Sequence, residues 1–386
     1  MLMSRRDVAL VMSGGGMNGL LLELGFLKRL RESELWPRVG WIYGTSAGAL
    51  AGVMAALDRL DVLEEFVLGL QPDETFRPNR LWQLPLTGLH DYVLPLTISE
   101  RIGSLEELAH DLHESPIELV VCVTDVTGAW DDTGTHAYEL TYSSRTTPPE
   151  LMGQAVLASA AISALVLPLR IGDTIGTDGG WVRNFPLGLA YDNPEVETIV
   201  GFRYVARYPR ADAANLARLR RRLERFRAVP PVRALIGELQ EAEDRQARGE
   251  PAHLAEMIIR LMRVAIARNT ALEERYAAEK DASVRELEAL RRDVAEIARR
   301  HAMPGRRSRA ALEIKARFAA AKFPFRHDRV LPTIIVRGDA GGQSFEPSFK
   351  TGLEWPEEAK KALIARGWAL AEAELRVRGI QRAAAA

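Results

Sequence analysis

Two glycine-rich turns, each closing a short apolar run and opening a helical one, constrain this chain most. The run Asp7 to Met12 ends in Ser13-Gly14-Gly15-Gly16-Met17-Asn18-Gly19, after which Leu20, Leu24, Leu27 and Leu30 recur at helical spacing. The run Val39 to Tyr43 ends in Gly44-Thr45-Ser46-Ala47-Gly48, and a small-residue helix follows from Ala47 to about Leu57. Strand, turn and helix in that order, repeated, predict parallel strands joined by helical crossovers. Both turns then open on the same edge of the sheet. Ile117 to Val123 is almost wholly apolar, which suits a strand covered on both faces. Leu165 to Ile171 and Glu197 to Tyr204 are further strand candidates. The expected fold class is α/β, a mostly parallel sheet with helices on both faces, carrying an added α-helical insertion.

The insertion is read from a change of texture. Between Phe202 and Arg329 there are 30 basic and 18 acidic side chains, an excess of 12 positive charges in a protein of net charge -1. From Ala252 to Met303 no Gly or Pro occurs, which predicts one long helix, or two joined near Asn269-Thr270. Arg218 to Arg227 and Arg306 to Phe323 read as shorter helices. Thr333 to Val336 reads as a strand and Pro356 to Arg376 as an amphipathic helix, so the chain returns to the sheet. The expected division is a core over residues 6–205, a helical, Arg-rich insertion over 206–328, and a return strand and helix over 329–380. No internal repeat is visible.

Composition bounds the function. At 386 residues, with 47% hydrophobic and 27% charged residues, the chain can bury a core and is neither disordered nor fibrous. The balance of 51 basic against 52 acidic residues leaves no global positive field for nucleic acid. The single cysteine, Cys122, excludes an intrachain disulfide and points to a reducing, cytoplasmic setting. No run is long and apolar enough to predict a transmembrane helix. The basic N-terminus reads as the approach to the first strand, because Val8 to Met12 is too short for a signal peptide.

The turns carry chemistry of different kinds. Gly14, Gly16 and Gly19 fit G-x-G-x-x-G, but a dinucleotide fold needs an acid at the end of the second strand, and Gly44-Thr45-Ser46 stands there. No G-K-[ST] follows, so a Walker A loop is excluded. Gly44-Thr45-Ser46-Ala47-Gly48 is G-x-S-x-G between a strand and a helix, the setting in which a serine oxygen is lifted off the sheet top. The bland alternative is a turn of small residues. Paired with it, the glycine turn over Gly14 to Gly16 supplies backbone N–H donors for an oxyanion at a helix start. Ser46 comes too early for a hydrolase of Ser–acid–His order. Of the histidines His90, His110, His113, His136, His253, His301 and His327, none sits in a glycine-rich turn. His110 and His113 near Glu107 and Glu114 read as a solvated helix face rather than a metal site. Asp178, in Thr177-Asp178-Gly179-Gly180, is left as the candidate base, with an Asp-Gly hairpin turn as the alternative.

Gly14 to Gly19, Gly44 to Gly48 and Asp178-Gly179-Gly180, in this order, resemble the motifs of the patatin-like phospholipases. The stretch Ala155 to Ile162 ahead of Asp178 and the pair Asn184 and Pro186 after it fit the same pattern, and the likeness covers about Arg6 to Ala190. The resemblance implies lipid acyl-ester hydrolysis by a Ser–Asp dyad with no metal and no cofactor. It makes Ser46 the nucleophile, Asp178 the base, and Gly14, Gly15 and Gly16 the oxyanion donors. Asn18, Gly19, Gly44, Gly48, Gly179 and Gly180 complete the motifs. One position departs: Asn18 stands where the family usually carries Arg or Lys.

Trp82 to Leu96 is apolar enough for a lid or mouth for acyl chains, or for core. The basic helices can lie on an anionic membrane, cover the site, or form a solvated hairpin or oligomer contact. An acyltransferase or thioesterase would share every residue of this site, and a silent lipid-binding protein would keep its pocket.

Overall fold

The computed structural model describes residues 5–79, 90–128, 138–162, 165–206, 214–250, 254–301, 307–320, 330–341 and 354–383. Strand β1 (Val8–Met12) is apolar at every position because both of its faces are covered. Val8, Leu10 and Met12 enter one core cluster, and Ala9 and Val11 enter another. The period of two along a strand divides the residues this way. The first cluster receives helices α1 (Gly16–Arg31), α2 (Ala47–Ala56) and α3 (Leu60–Gly69).

Strand β2 (Val39–Gly44) pairs in parallel with β1. Short strands β3 (Phe76–Pro78) and β4 (His90–Tyr92) form a separate hairpin. Helices α4 (Leu94–Arg101) and α5 (Leu105–Glu114) follow, the latter started by a capping box of Ser104 and Glu107. Then come β5 (Glu118–Asp125), β6 (Glu139–Ser143), α6 (Pro149–Ser159), β7 (Leu169–Ile171) and β8 (Thr174–Asp178). Two short helices, α7 (Gly180–Arg183) and α8 (Leu187–Asp192), lead into β9 (Thr198–Tyr204).

The sheet order is β10-β9-β1-β2-β5-β8-β7, with β6 against β5 and β10 formed by Thr333–Gly338. The pairs from β10 to β5 are parallel, and those of β5, β6, β7 and β8 are antiparallel. The sheet is therefore mostly parallel, with an antiparallel end. Strand β5 brings the two key turns together: Val121 pairs with Gly44 and Val123 with Asp178.

The basic segment holds α9 (Ala214–Leu223), α10 (Pro230–Ala247), α11 (Leu254–His301) and α12 (Arg307–Ala320). Helix α11 runs through Asn269-Thr270 without a break. Helix α10 has no counterpart among the expected elements. Its Pro230-Pro231 occupies the first turn, where missing N–H groups cost nothing. The expected strand from Leu165 shrinks to Leu169–Ile171, because Leu165 and Val166 pack into a small cluster with Ala161 instead. Two compact units emerge, one of residues 1–205 and 268–386, the other of residues 206–267. In the first, Ala277 on α11 joins Phe185, Leu187 and Tyr191 on the face of the sheet away from α1. Helices therefore cover both faces.

The last helix, α13 (Glu357–Val377), lies on α1. The two backbones meet at a pair of glycines. A Cβ on Gly25 would overlap the Ile364 carbonyl, and one on Gly367 would overlap the Leu22 carbonyl. Arg29 on α1, fully buried, pairs with Glu372 on α13. Lys360 is fully buried too, and its Nζ donates to the carbonyls of Leu68 (2.8 Å) and Leu70 (2.6 Å) at the end of α3.

Candidate active site

Ser46 stands at the sharp turn from β2 into α2 with φ 54° and ψ -119°. Only one other non-glycine residue among those described, Asp58, has positive φ. Such a conformation costs about 1–3 kcal/mol and persists where its surroundings impose it. Here they do. The Ser46 N–H donates to Ser159 Oγ (2.9 Å), which donates to the Cys122 carbonyl (2.7 Å). Thr45 Oγ1 donates to the Arg183 carbonyl (2.8 Å). A Cβ on Gly48 would come within 2.6 Å of the Met12 carbonyl oxygen, so α2 seats directly on the end of β1.

The turn aims the Ser46 hydroxyl at Asp178. Ser46 Oγ donates to Asp178 Oδ2 at 2.7 Å, and both residues are buried. Asp178 is gripped from three further sides. Its Oδ1 accepts the Gly180 N–H (2.7 Å), its N–H donates to the Ala161 carbonyl (3.1 Å), and its carbonyl accepts Thr124 Oγ1 (2.8 Å). Burial pushes its carboxyl up to about 6, against the pull of the Ser46 and Gly180 donors. Among the described residues, no histidine hydrogen-bonds Ser46 or Asp178. His113 Nδ1 lies 2.9 Å from the Ser144 carbonyl, and burial lowers the pKa of His90. His136, His253 and His327 fall outside the described residues.

The glycine turn faces the same hydroxyl. A Cβ on Gly14 would lie 3.2 Å from Ser46 Cβ. The Gly14 N–H, however, donates to the Asn184 carbonyl at 2.9 Å. That bond removes Gly14 from the three expected donors. Gly15 and Gly16, at the N-terminus of α1, have N–H groups that meet no acceptor among the described residues. Asn18, one turn on, is buried and donates from Nδ2 to Tyr204 Oη at 3.3 Å. Gly44 and Gly48 close the Ser46 turn and Gly179 and Gly180 the Asp178 turn, while Gly19 donates its N–H to Gly15 (2.8 Å).

Ser46 opens into a cavity of about 100 Å³ lined mostly by apolar side chains. Met17 and Leu20 of α1, Leu50 and Met54 of α2, Phe66 of α3 and Trp355 line it, with Leu94 and Ile98 of α4 and Leu105 and Leu108 of α5. Thr75 is the one polar side chain besides Ser46 among its described lining residues. Of the expected apolar mouth, Trp82 to Leu89 lie outside the described residues, and Leu94 lines the cavity. Among the described residues no group of three or more His, Cys, Asp or Glu side chains is placed to hold a metal ion. No described helix is long and apolar enough to cross a membrane.

Sequence reasoning passed over two residues of this arrangement. Ser159, hidden in a run of small residues, carries the Ser46 N–H. Asn269, on a helix 85 residues downstream, takes the Asn184 N–H. The stretch Ala155 to Ile162 fits the family pattern without giving Ser159 a role, and no local pattern marks Asn269.

Relatives of this chain bear on what the arrangement is. An uncharacterized NTE family protein of Mycobacterium tuberculosis is 27% identical over 201 residues, 50% of this chain and 30% of that protein. The chain thus spans less than a third of this relative's length. VipD from Legionella pneumophila aligns with 96% of this chain and 67% of its own, at 15% identity and a TM-score of 0.41. Residues 10–191, which hold Ser46, Asp178 and the glycine turn, match the family of patatin-like phospholipases. Residues 10–191 of this chain are thus a patatin-like phospholipase domain.

Proposed function

We propose that this protein is a serine hydrolase that cleaves acyl esters of lipids through a Ser46–Asp178 dyad. The observation that carries the reading is the 2.7 Å hydrogen bond from Ser46 Oγ to Asp178 Oδ2 at the end of an apolar cavity. Asp178 takes the hydroxyl proton as Oγ attacks the acyl carbon. The oxyanion faces the N–H groups of Gly15 and Gly16, and the positive end of α1 adds to their field. The carbon–oxygen ester bond breaks, and the alcohol leaves with the proton that Asp178 held. Water then attacks the acyl-serine, Asp178 takes its proton, and Ser46 Oγ recovers it as the fatty acid departs. The raised pKa of Asp178 suits this work, since a carboxylate near 6 is a stronger base than an ordinary one.

The test is a panel of phospholipids, lysophospholipids, acylglycerols and p-nitrophenyl esters of rising chain length, with products identified by mass spectrometry. Free fatty acid is expected, and a fluorophosphonate should label Ser46. Labelling at another residue, or none with no fatty acid released, overturns the reading.

The substrate's surface is part of this reading. In the unit of residues 206–267, the segment joining α9 and α10 exposes Phe226 and Val229, and α10 exposes Leu235. Arg225, Arg227 and Arg233 accompany them, and no acidic residue occurs from 225 to 237. Arg225 lies over the Phe226 ring at 4.9 Å. Apolar side chains ringed by arginines fit the headgroup boundary of an anionic bilayer. Each cation contributes at most about 1 kcal/mol there, so the three act together. The protein is expected to sediment with anionic vesicles at low salt and to lose that binding as salt shortens the Debye length from about 10 Å to 3 Å. Changing Phe226, Val229 and Leu235 together to Ser should weaken partition by about 10-fold or more. Equal sedimentation with neutral vesicles, or none with either, overturns the contact.

A further inference from the structure

We propose that Asn269, on α11, is a positioning residue that sets the dyad from behind, by holding both ends of the turn that follows Asp178. The proposal rests on the dyad reading above. Asn269 Nδ2 donates to the carbonyls of Gly180 (2.6 Å) and Trp181 (3.1 Å), and its Oδ1 accepts the Asn184 N–H (3.0 Å). One amide thus uses two donors and one acceptor, so flipping it would break all three bonds.

Each end it holds is one residue from the chemistry. Gly180 gives its own N–H to Asp178 Oδ1 (2.7 Å). Asn184 gives its carbonyl to the Gly14 N–H (2.9 Å), which sets the glycine turn. The same side chain therefore references the base and the oxyanion donors to one rigid helix. The neighbouring contacts do other work. Thr270 Oγ1 meets the Asn184 side chain (3.2 Å), and Glu273 pairs with Arg183, itself paired with Glu139. None of these three bonds takes the Gly180 carbonyl.

The arrangement has a signature in pH. Around Asp178 stand Ser46, Tyr92 of β4, Cys122 of β5 and the ion pairs of Arg183 with Glu139 and Glu273. Burial pushes Tyr92 up and holds Cys122 at about 12, so both stay neutral at working pH. Burial also raises Glu273. The shift of Asp178 has its causes in burial and in its two hydrogen bonds. The Gly180 N–H favours the carboxylate. If Gly180 drifts, that support weakens and Asp178 ionises at higher pH.

The experiment compares Asn269→Ala and Asn269→Asp with the wild type and Asp178→Asn, in the full chain, with p-nitrophenyl butyrate from pH 4.5 to 8.5. Asn269→Asp keeps the shape and the acceptor for Asn184 but cannot donate to Gly180, and it serves where Asn269→Ala melts too low. A fall in kcat of about 10- to 100-fold with little change in KM is expected. The acid limb of kcat/KM should move upward by about 1 pH unit in both variants. An acid limb at the wild-type pH in both folded variants overturns the assignment, whatever happens to the rate. If Asp178→Asn turns over as fast as the wild type, the dyad reading fails instead.

Discussion

Ser46→Ala is expected to lower ester turnover by about 10⁴-fold or more, because the atom that attacks the acyl carbon is gone and the remaining donors only bind. The loss should appear in kcat with p-nitrophenyl esters and in the disappearance of the fluorophosphonate adduct. The cavity is untouched, so substrate should still bind. The fold has a secondary response. Ser46 Oγ is one of two donors to the Asp178 carboxylate. Removing a donor to a buried charge costs about 1–3 kcal/mol at neutral pH. The carboxyl, already pushed up by burial, rises further, so the deficit should shrink as the pH is lowered. A variant that hydrolyses esters at the wild-type rate would remove Ser46 from the mechanism.

Asp178→Asn is the second large effect, a fall in kcat of about 10²- to 10⁴-fold. With a wild-type carboxyl near 6, kcat/KM should climb about 10-fold between pH 5 and pH 7 as the base form fills. The variant should lack that climb. Stability runs the other way. The folded carboxyl is raised above its unfolded value, so its contribution to stability is complete below the ordinary carboxylate range. That contribution is lost as pH rises through about 6. Asn resembles the protonated acid, so the variant should melt higher than the wild type above pH 6. Melting curves against pH check the sign. A variant that melts lower throughout would mean that the ionised form is the one the fold favours.

The parallel half of the sheet was legible because strands covered on both faces must be apolar throughout. Val8 to Met12 and Ile117 to Val123 look like nothing else. The antiparallel end was not. Strands β6, β7 and β8 mix polar and apolar residues, and Leu165 and Val166 satisfied their apolar character in a side cluster rather than in the ladder. Helix α10 escaped notice behind Pro230-Pro231, which reads as a break but sits in a first turn. In the candidate site, Ser46 and Asp178 announced themselves because a sharp turn demands glycines beside it. The fate of the Gly14 N–H could not be read, since it depends on which way the Asn184 carbonyl points. That in turn depends on Asn269, a residue with no local peculiarity. Bonds made across 85 residues leave no trace in spacing.

The glycine crossing of α1 on α13 bears on how the protein comes into being. Gly25 meets Ile364 and Trp368, and Leu22 meets Gly367, so the first helix finds its partner some 340 residues later. Strand β1 likewise takes one neighbour, β9, from nearly 190 residues downstream. A chain leaving the ribosome grows at about 5–20 residues per second, so its N-terminal helix waits on the order of half a minute before α13 emerges. During that wait the face of α1 around Leu22 and Gly25 lacks its native cover. Contacts so far apart in sequence also close slowly. The sheet becomes whole only once Thr333–Gly338 has emerged, and α1 gains its last cover only after synthesis has passed residue 377.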